Sequence, residues 1–191
     1  MSVVSIPEAW PMVGQPFTTD DLDRMPDDGR RYELLDGVLF VSPRPGTIHQ
    51  IVAMELAYVL RSARPKGMFV MAEPAVQLTR TTEFDPDIIV ARSEDVGQAK
   101  LTAPPLLAVE VRSPSTAMID LTRKKDAYAV FGVQSYWIVV PDVRRPELTV
   151  FELADGRYEE SGHVVGDQRF GATRPFPVEV VPAQLVDGLG G

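Results

Sequence analysis

Cysteine is absent from the 191 residues, which excludes disulfides, thiol nucleophiles and any zinc or iron–sulfur site built on thiolates. Histidine is nearly absent too: His49 and His163 stand far apart, so a histidine-rich zinc site is not expected. Any metal held here would rest mainly on oxygen. Uninterrupted apolar runs stop at five residues, as in Leu56 to Leu60, whereas a membrane helix needs about 20. The opening Met1-Ser2-Val3-Val4-Ser5-Ile6-Pro7-Glu8 has neither the basic region nor the apolar stretch of a secretory signal. A cytoplasmic location is the expectation, with no membrane partner.

Positive charge is also short. Nineteen Lys and Arg face 27 Asp and Glu, a net charge of −8, so the chain is not coated in basic surface for nucleic acid. The deficit sits at the two ends. Residues 1–30 carry six acids and two arginines, residues 151–191 carry seven and three, and residues 31–150 carry fourteen of each sign. Short basic runs inside that neutral middle, Arg123-Lys124-Lys125 and Arg144-Arg145, read first as solvated surface and second as a local basic patch.

What is present is a series of short elements punctuated by 17 prolines and 14 glycines, without repeats or low-complexity stretches. Thr18 or Thr19 caps a short acidic helix through Leu22 and Met25. Arg31 to Val41 reads as a β-hairpin turning on Asp36-Gly37. Ile48, Ile51, Val52, Leu56, Val59 and Ala63 recur at helical spacing from Thr47 to about Arg64. Strands are expected at 68–72, 75–78, 86–91 and 106–112, then a helix from Thr116 to Phe131 stopped by Gly132. Two further strands follow, at 135–140 and 148–153, which form core or an interface. Shorter strands and a proline-rich tail complete the chain. This order predicts an α/β (α+β-like) fold, a mixed sheet flanked by helices. The expected divisions are an N-terminal extension over 1–16, one domain over 17–185 and a tail over 186–191.

Several carboxylates do not suit their places in that fold. Leu106 to Arg112 has the composition of a central strand except for Glu110. Leu107, Val109 and Val111 share one face, and Glu110 shares the other with Ala108 and Arg112. An ionised carboxylate in such a strand costs several kcal/mol unless it is paired, hydrogen-bonded or bound to a cation. Asp85-Pro86-Asp87 opens another strand, which by itself is ordinary turn chemistry. If the two strands are neighbours, however, their acids converge where a divalent ion that prefers oxygen fits. On the following helix Asp120, Lys124 and Tyr128 lie four apart on one face, so Lys124 reaches towards the acids with Asp120 orienting it. The bland alternatives are a salt bridge at Glu110 and a surface i,i+4 pair on the helix.

Taken in order, several pieces resemble the Uma2-like family of the PD-(D/E)XK nuclease superfamily. They are Tyr32-Glu33-Leu34-Leu35-Asp36-Gly37, Ser42-Pro43 leading to His49, Pro86-Asp87, and Glu110-Val111-Arg112-Ser113-Pro114-Ser115. Asp120, Lys124 and Tyr128 follow, then Gly132-Val133 and Tyr136-Trp137. The resemblance covers roughly residues 17–185 and rests on the ordered set rather than on any single piece.

It implies a restriction-endonuclease-like core, Mg²⁺ or Mn²⁺ as cofactor, DNA as substrate and a homodimer. By position, Asp87 and Glu110 are the metal-binding acids, joined by the Val111 carbonyl. Glu33 is a supporting group or a ligand of a second metal. The superfamily's lysine slot, two residues after the glutamate, holds Arg112, whose pKa is too high for proton exchange with water. The resemblance therefore assigns the lysine role to Lys124, leaving Arg112 to orient Glu110 or touch phosphate. His49 is either an assisting group or a structural one. The implied reaction is hydrolysis of DNA phosphodiesters, catalysed by Asp87, Glu110 and Lys124 with one or two metal ions. The alternatives are a nuclease fold serving as a binding or assembly module, and a metal-dependent hydrolase of a small phosphate ester.

Overall fold

The computed structural model describes residues 14–112 and 120–189. Its centre is a six-stranded sheet in the order β10-β9-β8-β7-β6-β3. The strands are β3 (Met68–Ala72), β6 (Ile88–Arg92), β7 (Leu107–Val111), β8 (Ser135–Val140), β9 (Glu147–Ala154) and β10 (Arg157–Val165). Within it only β7 and β8 run parallel, and every other neighbouring pair is antiparallel. The sheet is mixed, as the order of elements predicts. The single parallel pair needs a crossover, and the segment between β7 and β8 carries the helical turn that later supplies Lys124.

A four-stranded antiparallel sheet, β2-β1-β5-β4, packs beside it. It contains β1 (Arg30–Leu35), β2 (Val38–Pro43), β4 (Val76–Thr79) and β5 (Thr82–Phe84). Asp36 and Gly37 both take positive φ, 50° and 77°, so the hairpin turns where its Asp-Gly pair predicts. At Gly37 a Cβ would run into Pro16, a second reason for glycine there.

The central sheet is covered on both faces, and strand alternation sorts its residues cleanly. On one face Leu107, Val109, Val111, Ile88 and Val90 pack against Val52, Leu56 and Leu60 of α2 (Thr47–Ala63), the helix that follows the short α1 (Thr19–Leu22). Leu185 and Val186 of the C-terminal 3₁₀ turn (Pro182–Val186) extend that core. On the other face Ala108, Tyr136, Ile138 and Phe151 meet Phe84 of β5, Tyr128 and Val133. Tyr128 belongs to α3 (Lys125–Phe131), a short helix that ends at Gly132.

The structure refines the sequence expectations in four places. The expected helix from Thr116 is α-helical only over Lys125–Phe131, and Asp120–Lys124 is a wider π-helical turn. The expected start at Thr116 lies outside the described residues. Strands β8 and β9 are core, because Tyr136, Trp137, Val150 and Leu148 have no exposure. The stretch after β9 contains a long strand rather than only short ones: β10 has nine residues. It was poorly visible in the sequence because it is a sheet edge, mostly solvated, with a bulge between Glu160 and Gly162. Charges on such an edge discourage pairing with another chain, and they erase the alternation that marks a strand. Finally, the short basic runs are not one patch. Lys124 is buried, Lys125 lies over the Phe151 ring, and the backbone N–H groups of Arg144 and Arg145 hold the Asp142 carboxylate.

No helix among the described residues is long and apolar enough to cross a membrane.

Candidate active site

Three residues, Asp85-Pro86-Asp87, carry the chain from β5 in the small sheet to β6 in the central sheet. A crossing this short forces both acids into the seam between the sheets. Proline suits it, since no ladder hydrogen bond is required there. β6 pairs with β7 in a register that sets Ile88 against Val109, which places Asp87 opposite Glu110. The Val111 N–H donates to Asp87 Oδ2 at 2.7 Å, closing the strands at that end. The structure thus brings Val111 to the acids through its N–H. The role assigned to its carbonyl has no counterpart in these contacts.

Asp87 is almost completely buried, with 2% exposure, and its carboxylate is surrounded by donors. Both terminal nitrogens of Arg31 reach Oδ1 at 3.1 Å. His49 Nε2 lies 3.1 Å from Oδ2. Burial pushes the Asp87 carboxyl up, but the hydrogen bond and charge of His49, the Arg31 guanidinium and the Val111 N–H outweigh it. The net effect is an acid held below the usual carboxylate range. Arg31 is half-buried, and desolvation opposes its charge. Asp87, Glu33 and Glu110 more than compensate, so it stays cationic.

Glu110 takes a different set of donors. Its Oε1 accepts from Lys124 Nζ at 3.2 Å and from the Tyr128 hydroxyl at 3.1 Å. Lys124 also donates to Glu33 Oε1 at 2.8 Å, so one buried ammonium ties β7 to β1. The same Glu33 oxygen accepts the Asp85 N–H at 3.0 Å. Lys124 is 3% exposed at its side chain, with Glu33 at 8% and Glu110 at 3%. Its Nζ sits 5.2 Å from the centre of the Phe84 ring, and Phe84, Tyr128 and Tyr136 form an aromatic wall behind it. Burial, and then the Glu110 charge, raise the Tyr128 pKa well above its ordinary value. Its hydroxyl therefore stays protonated and serves as a fixed donor.

Of the residues singled out from the sequence, the structure brings together Glu33, His49, Asp87, Glu110, Val111, Lys124 and Tyr128. His49, in the first turn of α2, is buried beside Asp87, and its Nδ1 has no hydrogen-bond partner among the described residues. Arg112 is not gathered in. It lies just beyond β7, its N–H bonds to Val139 O, and its side chain makes no hydrogen bond or ion pair with a described residue. The Asp120 side chain, and with it the expected orienting role, lies outside the described residues.

Two groups absent from the sequence-derived site belong to this cluster. Arg31 stands two positions before Glu33, hence on the same strand face. Asp85, two before Asp87, accepts no hydrogen bond at its carboxylate from a described residue. Burial, followed by the Glu33 charge, pushes its pKa up to about 6. A charged residue spaced by two from a recognised one was the signal available in both cases.

The charge balance tests whether a metal suits this seam. Glu33, Asp85, Asp87 and Glu110 stand against Arg31 and Lys124, an excess of two negative charges when all are ionised. The donors are hard oxygens, and Asp85 is raised first by burial and then by the Glu33 charge. Hard oxygen donors suit a divalent cation such as Mg²⁺ or Mn²⁺. Among the described residues no three acids or histidines converge tightly enough to enclose a metal alone.

The fold and sequence have recognisable counterparts. A solved structure from Anabaena variabilis, described as "a putative nuclease belonging to DUF820", superimposes with a TM-score of 0.70 at 19% identity. The match covers 90% of this chain and 98% of that one, so the two chains share a fold. No curated protein matches the sequence. The Uma2 family model, described as "Putative restriction endonuclease", matches residues 19–184. Because that match runs through both sheets and every residue of the buried charged seam, the chain belongs to the Uma2 family.

Proposed function

We propose that this protein is a metal-dependent endonuclease that hydrolyses DNA phosphodiester bonds at the seam between its six-stranded and four-stranded sheets. The observation that carries the reading is the position of Asp87 opposite Glu110 on paired strands, with buried Lys124 bridging Glu110 to Glu33. The reaction class is supported by the endonuclease description of the family and the nuclease description of the Anabaena protein.

Asp87 and Glu110 would hold the cation, and the Val111 carbonyl would add a further protein oxygen. Bound there, Mg²⁺ or Mn²⁺ would acidify an attacking water and neutralise charge gathering on the phosphoryl oxygens. Lys124 is the residue that positions the water. Its ammonium is anchored by two carboxylates, so its direction is set before substrate arrives and costs no reorganisation. Tyr128 holds Glu110 in place by donating to it. Arg31 keeps its charge throughout and steadies Asp87, acting as an electrostatic group and not as a proton carrier. His49 fixes the other oxygen of Asp87. Glu33 sets the position of Lys124 and of the Asp85 backbone. A homodimer would present two such sites to the two strands of a duplex.

Incubation of the protein with supercoiled and single-stranded DNA at low salt, with Mn²⁺, Mg²⁺ or EDTA, tests the proposal. Cleavage that requires metal and is lost in Glu110→Ala supports it. Equal cleavage by both proteins, or none by either, refutes it.

A further inference from the structure

The mouth of the seam is as distinctive as its interior. A cavity of about 360 Å³ opens there, lined by Arg30, Arg31, Arg44, Gln50, Glu73 and Asp85. Three arginines around one opening is unexpected in a chain of net charge −8. They come from different elements: Arg30 and Arg31 begin β1, and Arg44 follows β2. The hairpin therefore delivers them together from the two ends of its paired strands, where Arg30 lies opposite Pro43.

Arg44 is held in place although it is exposed. Its Nε donates to the Gly29 carbonyl at 3.1 Å, which leaves the terminal nitrogens with only the 3.8 Å ion pair to Asp27. Gly29 has φ +82°, and a Cβ there would stand 3.3 Å from Arg44 Nε, so glycine permits this close approach. The side chains of the outer arginines meet acids only at longer range, while two further acids, Glu73 and Asp85, line the cavity. Asp27 is 3.8 Å from Arg44 and almost wholly exposed, and Asp28 is 3.5 Å from Arg30. Arg31 forms the inner wall and touches both Glu73 at the surface and Asp87 in the seam. Gln50, from the first turn of α2, adds an amide to the rim.

We infer that this cavity is a phosphate-binding subsite that seats a nucleic-acid phosphodiester next to the one cleaved in the seam, with Arg44 and Arg30 as its outer ligands. The inference rests on the nuclease reading and extends it by naming how the strand is held. An arginine fork matches the oxygens of a phosphate better than a point charge does. The volume lies near the lower end for ligand pockets, about 300 Å³, which suits one nucleotide unit rather than a duplex. Recognition of this kind reads the backbone and ignores the base sequence.

Equilibrium binding separates this subsite from the chemistry. The full chain is titrated, in EDTA, against a short fluorescein-labelled single-stranded DNA across a series of KCl concentrations, following anisotropy. Arg44→Ala and Arg30→Ala are each expected to weaken binding about fivefold and to reduce the salt slope by about 0.7. Arg44→Lys should keep the slope while losing affinity. Arg157→Ala, on the exposed β9–β10 hairpin, should bind as the parent does and controls for net charge. Competition with inorganic phosphate distinguishes a free anion site from a strand site: phosphate binding that depends on Arg44 without oligonucleotide binding overturns the proposal. So does oligonucleotide binding that neither arginine variant alters, even where Glu110-dependent cleavage persists. If arginine-dependent binding is seen without any cleavage, the subsite stands and the nuclease reading falls.

Discussion

The two faces of the central sheet are buried to a similar depth, yet they are built from different chemistry. Against α2 the contacts are hydrocarbon on hydrocarbon: Leu107, Val109 and Val111 meet Val52, Leu56 and Leu60 with almost no exposure. Against α3 the same strand offers Ala108 and Glu110, and the helical segment answers with Lys124 and Tyr128. One face lowers the free energy of folding by removing apolar area from water. The other spends part of that gain on ions whose desolvation must be offset by pairing. A stable apolar layer behind β7 is what allows a charged layer in front of it.

Breaking the charged face should give the largest effect. Lys124→Ala leaves Glu33 and Glu110 buried without their shared cation, and is expected to cost about 3–5 kcal/mol together with metal-dependent cleavage. Urea unfolding at neutral pH measures the first, and a midpoint unchanged from the parent would show that the three charges are not mutually dependent. Breaking the apolar face should cost stability without abolishing chemistry. Leu56→Ala opens a cavity beneath the sheet and is expected to lose about 3 kcal/mol, while cleavage per folded molecule is retained. If its activity falls as far as that of Lys124→Ala, the separation of labour between the faces is wrong.

The contrast is sharpened by pH. Asp85 has a folded-state pKa of about 6, above the ordinary value of 3.8. Between those values the folded protein binds the extra proton, so stability falls as pH rises through that window. Asp85→Asn removes the penalty and should raise stability at pH 8 by about 3 kcal/mol at most, with little change at pH 3. Thermal unfolding at both values checks the sign. Added Mg²⁺ should narrow the gap between parent and variant at pH 8, because the cation relieves the same excess of negative charge. The smallest effect belongs to Tyr128→Phe. Loss of one donor to charged Glu110, with Lys124 still in place, is expected to cost about 1.5 kcal/mol. Since Tyr128 stays protonated, the pH dependence of cleavage should keep its shape, and a profile with a missing limb would count against a purely positioning role.

Much of this site was legible because strand geometry is strictly alternating. Glu110 was conspicuous as an acid among Leu107, Val109 and Val111, and its face followed from parity alone. The Asp36-Gly37 turn and the stripe Val52, Leu56, Leu60 were legible for the same reason, since a local rule sets each of them. Arg31 and Asp85 were harder. Each looks like ordinary surface charge in one dimension, and each acquires meaning only from a partner 56 or 52 residues away, Asp87 and Glu33 respectively. Arg112 is the opposite case. Its slot in the motif suggested a place in the site, but the side chain of a residue just past a strand end need not follow the strand's alternation.

The sequence by itself determined the oxygen-only character of any metal site, the succession of short elements, the face of Glu110 and the membership signalled by its ordered motifs. These follow from composition and from periodicities that act within a few residues. Only the tertiary structure decided that β5 and β6 lie in different sheets, so that three residues between them thrust Asp85 and Asp87 into one seam. It also decided that Lys124 is buried between Glu33 and Glu110 instead of solvated beside Arg123. The physical reason is that the strength of a charge depends on its surroundings. A lysine costs little in water and becomes decisive when two distant strands remove the water and supply the counter-ions.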